Sequence, residues 1–213
     1  MVQFYKVKKK LVLRAGIIMG IALIVISMVI NSLLVNDYSI NIAKIRKEKD
    51  EHFKDSEQTP IIETEKFRGL IYFDVKPKFK VIAKIKRVDS ISHIKILRND
   101  GKLTNYKRYA YATFLLDNIE HRVVLLKQED QLEDDKSLFL PFTDLTNEKE
   151  TYKSGRYIDL QVPENEKTIE IDFNLAYNPY CVYNYKYSCP IPPRENFIQA
   201  SILAGEKNYI LQE

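Results

Sequence analysis

Two regimes of hydrophobic patterning divide this chain. Residues 15–36 carry no charge, and most are Ile, Leu, Val, Met or Ala. About 20 such residues suffice to cross a hydrocarbon core as a helix. Residues 40–54, INIAKIRKEKDEHFK, mix charges with a narrow apolar stripe of Ile42, Ile45 and Phe53, which predicts a short juxtamembrane helix. DSEQTP then breaks it. From about residue 60 the apolar period switches to two, the period of a strand. Val81, Ala83 and Ile85 alternate with Lys80, Lys84 and Lys86, and Ile94 and Ile96 alternate with His93 and Lys95. RNDGKL places an Asp-Gly turn between two strand-like runs, and Asp117-Asn118 separates two apolar runs as a second hairpin. Further strands are predicted over 137–142, 156–162, 167–175 and 197–203.

The expected fold is therefore an all-β outer domain, an antiparallel sandwich or barrel of about eight or nine short strands. It carries one N-terminal transmembrane helix and a short juxtamembrane helix. The expected organisation is a basic tail (1–14), a transmembrane signal anchor (15–36), a juxtamembrane helix and linker (37–57) and the β domain (58–213).

Charge sharpens the topology. Of 33 basic and 29 acidic residues, five basic and one acidic lie within residues 1–42, so the rest of the chain is neutral. Lys6, Lys8, Lys9, Lys10 and Arg14 precede the apolar run, and the first basic residue after it is Lys44. This asymmetry predicts an inner-membrane protein with its N-terminus inside and its C-terminal domain outside. The apolar run outlasts the ~7–15 residues of a signal-peptide core, and NSLLVND offers no small-x-small cleavage site, so an uncleaved anchor is expected. The bilayer is the first expected partner. A neutral domain gives no footprint for nucleic acid.

An oxidising compartment makes the two cysteines, Cys181 and Cys189, a candidate disulfide. Closing so short a ring is worth about 2.5 kcal/mol by chain entropy. Their spacing does not match paired zinc ligands, and His52, His93 and His121 all lie far upstream, so no metal, cofactor or cysteine-centred catalysis is expected.

Candidate chemistry gathers on three segments. In 156–162, Arg156 shares the parity of the apolar Ile158, Leu160 and Val162, whereas Tyr157 and Asp159 point the other way. An inward guanidinium needs a carboxylate or several carbonyls. Asp144 is the first choice of partner, with Glu206 and Asp172 as alternatives. Arg156 is then either a structural pair member or an anion-receiving group at a pocket mouth. In 167–175, Glu170, Asp172 and Asn174 form a polar row leading to Tyr177 and Asn178. Loop 176–196 is too broken by proline for a helix or central strand, and its tyrosines suit an ordered rim.

The segments PFTDLTNEKETYKSGRYIDL (141–160), DFNLAYNPYCVYNYKYSCPIPPREN (172–196) and AGEK (204–207) resemble the family Domain of Unknown Function 1684. KEKDEHFKDSEQTPI and FRGLIYFDV look like that family's N-terminal part, so the resemblance spans roughly 43–208. It implies a β-rich, often exported domain and no established reaction. The chain departs from the family where members carry glycine at Glu148 and before Gly155; Asn147 is expected to take over the turn.

The leading functional expectation is a binding module for a small polar or anionic ligand or an envelope protein. Its candidate residues are Arg156, Asp144, Tyr157, Asp159, Asp172, Asn174, Tyr177, Asn178 and Glu206. The alternative is a hydrolase- or isomerase-type enzyme using carboxylates around Arg156.

Overall fold

The computed structural model describes residues 2–132, 134–165 and 167–210. Side chains of residues 1–18, 31 and 89–91 lie outside the described residues, and with them the expected basic flank. The chain divides into two units, Met1–Ala43 and Lys44–Glu213.

One helix, α1 (Val2–Asp55), runs through both the expected anchor and the expected juxtamembrane segment, which are not separate helices. No Pro or Gly occurs between residues 21 and 55, so nothing in the covalent chain forces a break. Its stretch Met19–Asp55 is long and apolar enough to cross a membrane, and its apolar window is unburied. His52 and Lys54 in the last turn suit the negative end of the helix dipole.

The second unit is a single curled sheet rather than a sandwich or closed barrel. Its strands are β1 (Lys80–Leu97), β2 (Leu103–Leu116), β3 (Ile119–Gln128), β4 (Ser137–Asp144), β5 (Arg156–Gln161), β6 (Thr168–Asp172) and β7 (Phe197–Ile198). The order β5-β4-β3-β2-β1-β6 is antiparallel throughout, and β7 lies parallel to β4. Among the described residues β5 and β6 do not pair, so the sheet curls without closing.

Both predicted hairpins form. Gly101 takes a left-handed φ of 82° between β1 and β2, and Asp117 and Asn118 take φ of 49° and 64° between β2 and β3. Two successive left-handed residues make the turn that matches strand twist.

What alternation misjudges is β1. It is one 18-residue strand, with a register shift between Arg87 and Ser92 opposite a second shift between Arg108 and Ala110. On β2 the extra residue, Tyr109, exchanges the faces on either side of it, whereas β1 keeps its parity throughout. Val81 and Ala83 therefore pack into the main core with Ala112, Phe114, Leu125, Leu140 and Ile158. Ile96 and Tyr106 pack on the opposite face with Val124 and Leu126.

Between β3 and β4 the ladder shrinks to one register pair, Leu126↔Phe139. Asn196, fully buried, bridges the gap. Its Oδ1 accepts from the Val124 amide at 2.7 Å, and its Nδ2 donates to the carbonyls of Val124 (3.0 Å) and Pro141 (2.7 Å). One side-chain amide thus satisfies the backbone groups that the parted strands leave unpaired.

Candidate functional site

Arg156 and its neighbour Tyr157 divide the predicted site between opposite faces of β5. On the inner face Arg156 is fully buried. Its Nη2 donates to Asp144 Oδ2 at 3.0 Å and to the Ile202 carbonyl at 2.9 Å; its Nη1 donates to the carbonyls of Ala204 and, at 3.1 Å, Glu206. Asp144 Oδ1 accepts from the amide (2.8 Å) and hydroxyl (2.6 Å) of Thr146 and from the Ile202 amide (3.3 Å). These bonds fit the alternative of a structural pair between Arg156 and Asp144 rather than that of an anion-receiving Arg156. The guanidinium folds the C-terminal segment onto β4 and β5 and presents no edge to a ligand.

The other buried polar candidates are spent in separate places. β6 ends in a 3₁₀ turn over Phe173–Leu175, and this turn breaks the polar row expected along 167–175. Asp172 caps it, accepting from the Asn174 amide at 2.9 Å. Asn174 turns inward and exchanges hydrogen bonds with the Lys76 backbone at 2.9 and 3.0 Å. Glu206, also buried, is a hub. Lys49 Nζ lies 2.6 Å from its Oε1; Tyr183 Oη (2.5 Å) and the Asn178 amide (2.8 Å) donate to its Oε2. Asn178 Nδ2 donates to the Lys207 carbonyl at 2.7 Å. Asp144, Asp172 and Glu206 therefore do not converge on a common point, as an acid–base pair at Arg156 requires.

The outer face holds a cavity of about 660 Å³ between the sheet and loop 176–196. Tyr157, Asp159 and Tyr177 line it, as do Tyr106, Phe139, Tyr180 and Tyr187. Phe139 and Tyr157 meet at 72° with centroids 4.8 Å apart, Tyr157 and Tyr177 at 89° and 5.8 Å, and Tyr180 and Tyr187 at 81° and 5.3 Å. Edge-to-face contact is a favoured aromatic geometry and fixes rings as rigid walls. Tyr177 Oη donates to Asp159 Oδ2 at 2.8 Å. Burial raises the Tyr157 and Tyr177 phenols well above their ordinary value, so both remain neutral donors.

Residues far away in sequence complete this cavity. Lys49 reaches it from α1, and Gln128 from β3. Tyr106 escapes a parity reading because the irregularity in β2 exchanges its face; Phe139 and Gln128 become visible only when the strands are in register.

Loop 176–196 is ordered because its backbone finds partners. Tyr157 and Tyr177 exchange amide–carbonyl bonds at 2.9 and 3.0 Å, and Tyr157 Oη donates to the Pro190 carbonyl. The β1–β2 hairpin holds the far end: Asn99 N donates to the Cys189 carbonyl (3.0 Å), Cys189 N to Asn99 Oδ1 (2.7 Å) and Ile191 N to the Leu97 carbonyl (2.7 Å).

Cys181 and Cys189 stand as free, adjacent thiols. The Cys181 amide donates to Cys189 Sγ at 3.2 Å. A hydrogen bond from the Cys181 thiol, helped by that amide and Arg98, holds Cys189 down at about 7 against the cost of burial. The same thiol–thiol bond, with burial, pushes Cys181 up. Cys189 lines the cavity.

The model of the family "Protein of unknown function (DUF1684)" matches residues 65–207. The chain belongs to this family. A solution NMR structure of an uncharacterized protein from Haloarcula marismortui is similar at 32% identity and a TM-score of 0.63, over 81% of this chain and 95% of that one. A comparison with curated proteins finds no match.

The geometry gives physical content to the DUF1684 signature segments. In AGEK, the carbonyls of Ala204 and Glu206 bind Arg156, and the Glu206 carboxylate ties Lys49 to the tyrosine loop. Gly205 takes φ 75°, and a Cβ there would lie 2.5 Å from the Ala176 carbonyl oxygen and 2.8 Å from that of Phe173. In TNEKET the left-handed residue is Glu148, φ 66°, at the family's glycine position. Asn147, expected to take that conformation, acts instead through its side chain, accepting from the Asp144 amide at 2.6 Å and donating to the Tyr152 carbonyl at 2.6 Å.

Proposed function

We propose that this DUF1684 protein is a membrane-anchored binding module whose ligand enters the aromatic cavity beneath the tyrosine loop. The single observation that carries the reading is that cavity, walled by interlocked rings on one side of β5 while the charged groups on the other side are consumed by the fold. Concave, mostly apolar sites with a few placed polar groups are where small molecules bind. The apolar helix serves as a signal anchor across the inner membrane, with the basic flank inside and the β domain outside. In that compartment Cys181 and Cys189 close a disulfide, giving two electrons and two protons to an envelope thiol oxidant. The enzymatic alternative has less support, since its four candidate carboxylates are engaged separately: Asp144 with Arg156, Asp172 with its own turn, Glu206 with Lys49 and Asp159 with Tyr177.

The test is a screen of small aromatic and polar metabolites against the full chain in detergent micelles, read by thermal shift. A ligand is expected to raise Tm for the parent protein and not for Tyr177→Ala, which opens the cavity wall. If ligands stabilise both proteins equally, or none stabilises the parent, the cavity is not the binding site.

A further inference from the structure

Resting on that cavity as the binding site, we infer that its ligand carries an alkylated ammonium group. Three observations point the same way. The first is wall geometry. Phe139, Tyr157 and Tyr177 meet in series at near right angles, and Tyr180 and Tyr187 form a second perpendicular corner. Perpendicular aromatic walls present electron-rich faces from several directions at once, the arrangement that holds a quaternary or methylated ammonium.

The second is charge. Among the described residues three charged side chains line the cavity: Lys49, Asp135 and Asp159. Lys49 is neutralised by the buried Glu206 carboxylate at 2.6 Å. Lys127 Nζ donates to the Asp135 carbonyl at 2.7 Å and offsets the Asp135 charge, which leaves Asp159 as the lining carboxylate outside any ion pair among the described residues. Asp159 is exposed and accepts from Tyr177 Oη at 2.8 Å. With the Arg156 guanidinium enclosed on the other face, the cavity offers an anion no free cationic partner among the described residues.

The third is a precedent inside the protein. Lys49 Nζ sits 4.6 Å from the Tyr177 ring centroid, so this wall already receives an ammonium on one ring. Alkylation spreads positive charge over apolar methyl groups. Such a cation sheds water more readily than Lys does, matching rings that supply surface and few hydrogen bonds.

The same chemistry occurs in soluble choline-like solutes and in lipid headgroups, and the experiment separates them. Isothermal titration of the full chain in maltoside micelles, whose headgroups carry no ammonium, compares choline with 3,3-dimethylbutan-1-ol, its uncharged carbon isostere. Choline is expected to bind at least tenfold more tightly than the isostere, and Asp159→Asn is expected to weaken choline at least threefold while leaving the isostere unchanged. Equal binding of choline and isostere overturns the cation inference and leaves the cavity as a neutral site. Failure of choline, with neutral aromatic ligands still stabilising the parent but not Tyr177→Ala, does the same. Failure of every ligand overturns both readings. In nanodiscs, choline affinity reduced by phosphatidylcholine relative to phosphatidylglycerol assigns the site to headgroups. Equal affinity assigns it to soluble solutes.

Discussion

Arg156 and Tyr157 are adjacent in sequence and serve opposite halves of the molecule. The face that takes Arg156 is nearly saturated: its guanidinium meets a carboxylate and three carbonyls without solvent, and only its Nε lacks a partner among the described residues. The face that takes Tyr157 is open, with rings fixed against each other and space left between them. Charge placed where it is wholly compensated acts as structure; a lightly charged cavity is where a ligand can still change the free energy. The pattern of buried charge alone points to the side of the strand opposite the cavity.

The comparison breaks most sharply at Arg156. Arg156→Met removes one partner from a buried ion pair and strands Asp144 in the core, so a loss of about 3–5 kcal/mol is expected in chemical denaturation. At temperatures where the variant stays folded, affinity at the outer cavity should be unchanged. An affinity loss beyond the folded fraction would show that the two faces are not independent.

Glu206→Gln tests the link between them, because this residue lies in the saturated segment yet anchors Lys49 and Tyr183. Losing the charge-assisted bonds should cost about 2 kcal/mol, tempered because the Lys49 side chain keeps 26% exposure. Ligand affinity should fall as well, since Lys49 then adds an unbalanced positive charge to the cavity. A stability loss with no change in affinity would uncouple the hub from the site.

The thiols provide a readout from the open face. After mild reduction, iodoacetamide labelling of Cys189 should rise through about pH 7, while Cys181 stays unreactive to much higher pH. For stability the sign is fixed by direction. The depressed Cys189 favours the fold above its ordinary value, a contribution lost as pH falls through about 7, and the raised Cys181 opposes it at high pH. Equal labelling of both thiols, read by peptide mass, would contradict the thiol–thiol hydrogen bond.

The smallest effect belongs to the turn of the saturated face. Glu148 is exposed in a left-handed conformation that favours glycine, so Glu148→Gly should stabilise by up to about 1 kcal/mol. A destabilised variant would mean that the Glu148 side chain contributes something no contact here explains.

Much of the fold was legible locally. Asp-Gly and Asp-Asn turns dictate their hairpins, and the parity of β5 separates Arg156 from Tyr157. The continuous β1 was hidden because its apolar residues change parity along it: Val81 faces the main core and Ile96 the opposite face, so the two runs read as separate strands. Asn174 was misplaced because β6 ends at Asp172, three residues before the expected end at 175, and a 3₁₀ turn over Phe173–Leu175 replaces the two-residue period. Half of the cavity was illegible for another reason: Tyr106, Gln128 and Phe139 are brought together by register, and Lys49 by its ion pair with Glu206, over long sequence separations that no short pattern encodes.

Asn196 also bears on how the sheet comes apart and together. With one register pair and one side-chain amide joining β3 to β4, the sheet has a seam. β1, β2 and β3 are linked by tight hairpins and close short loops early in folding. β4, β5 and the C-terminal return must be gathered across the seam from distant sequence, with the amide docking last. Under native conditions amide exchange should therefore divide the protein into two cooperative blocks. The boundary should run through Asn196, so that the outer cavity assembles only when the second block closes on the first.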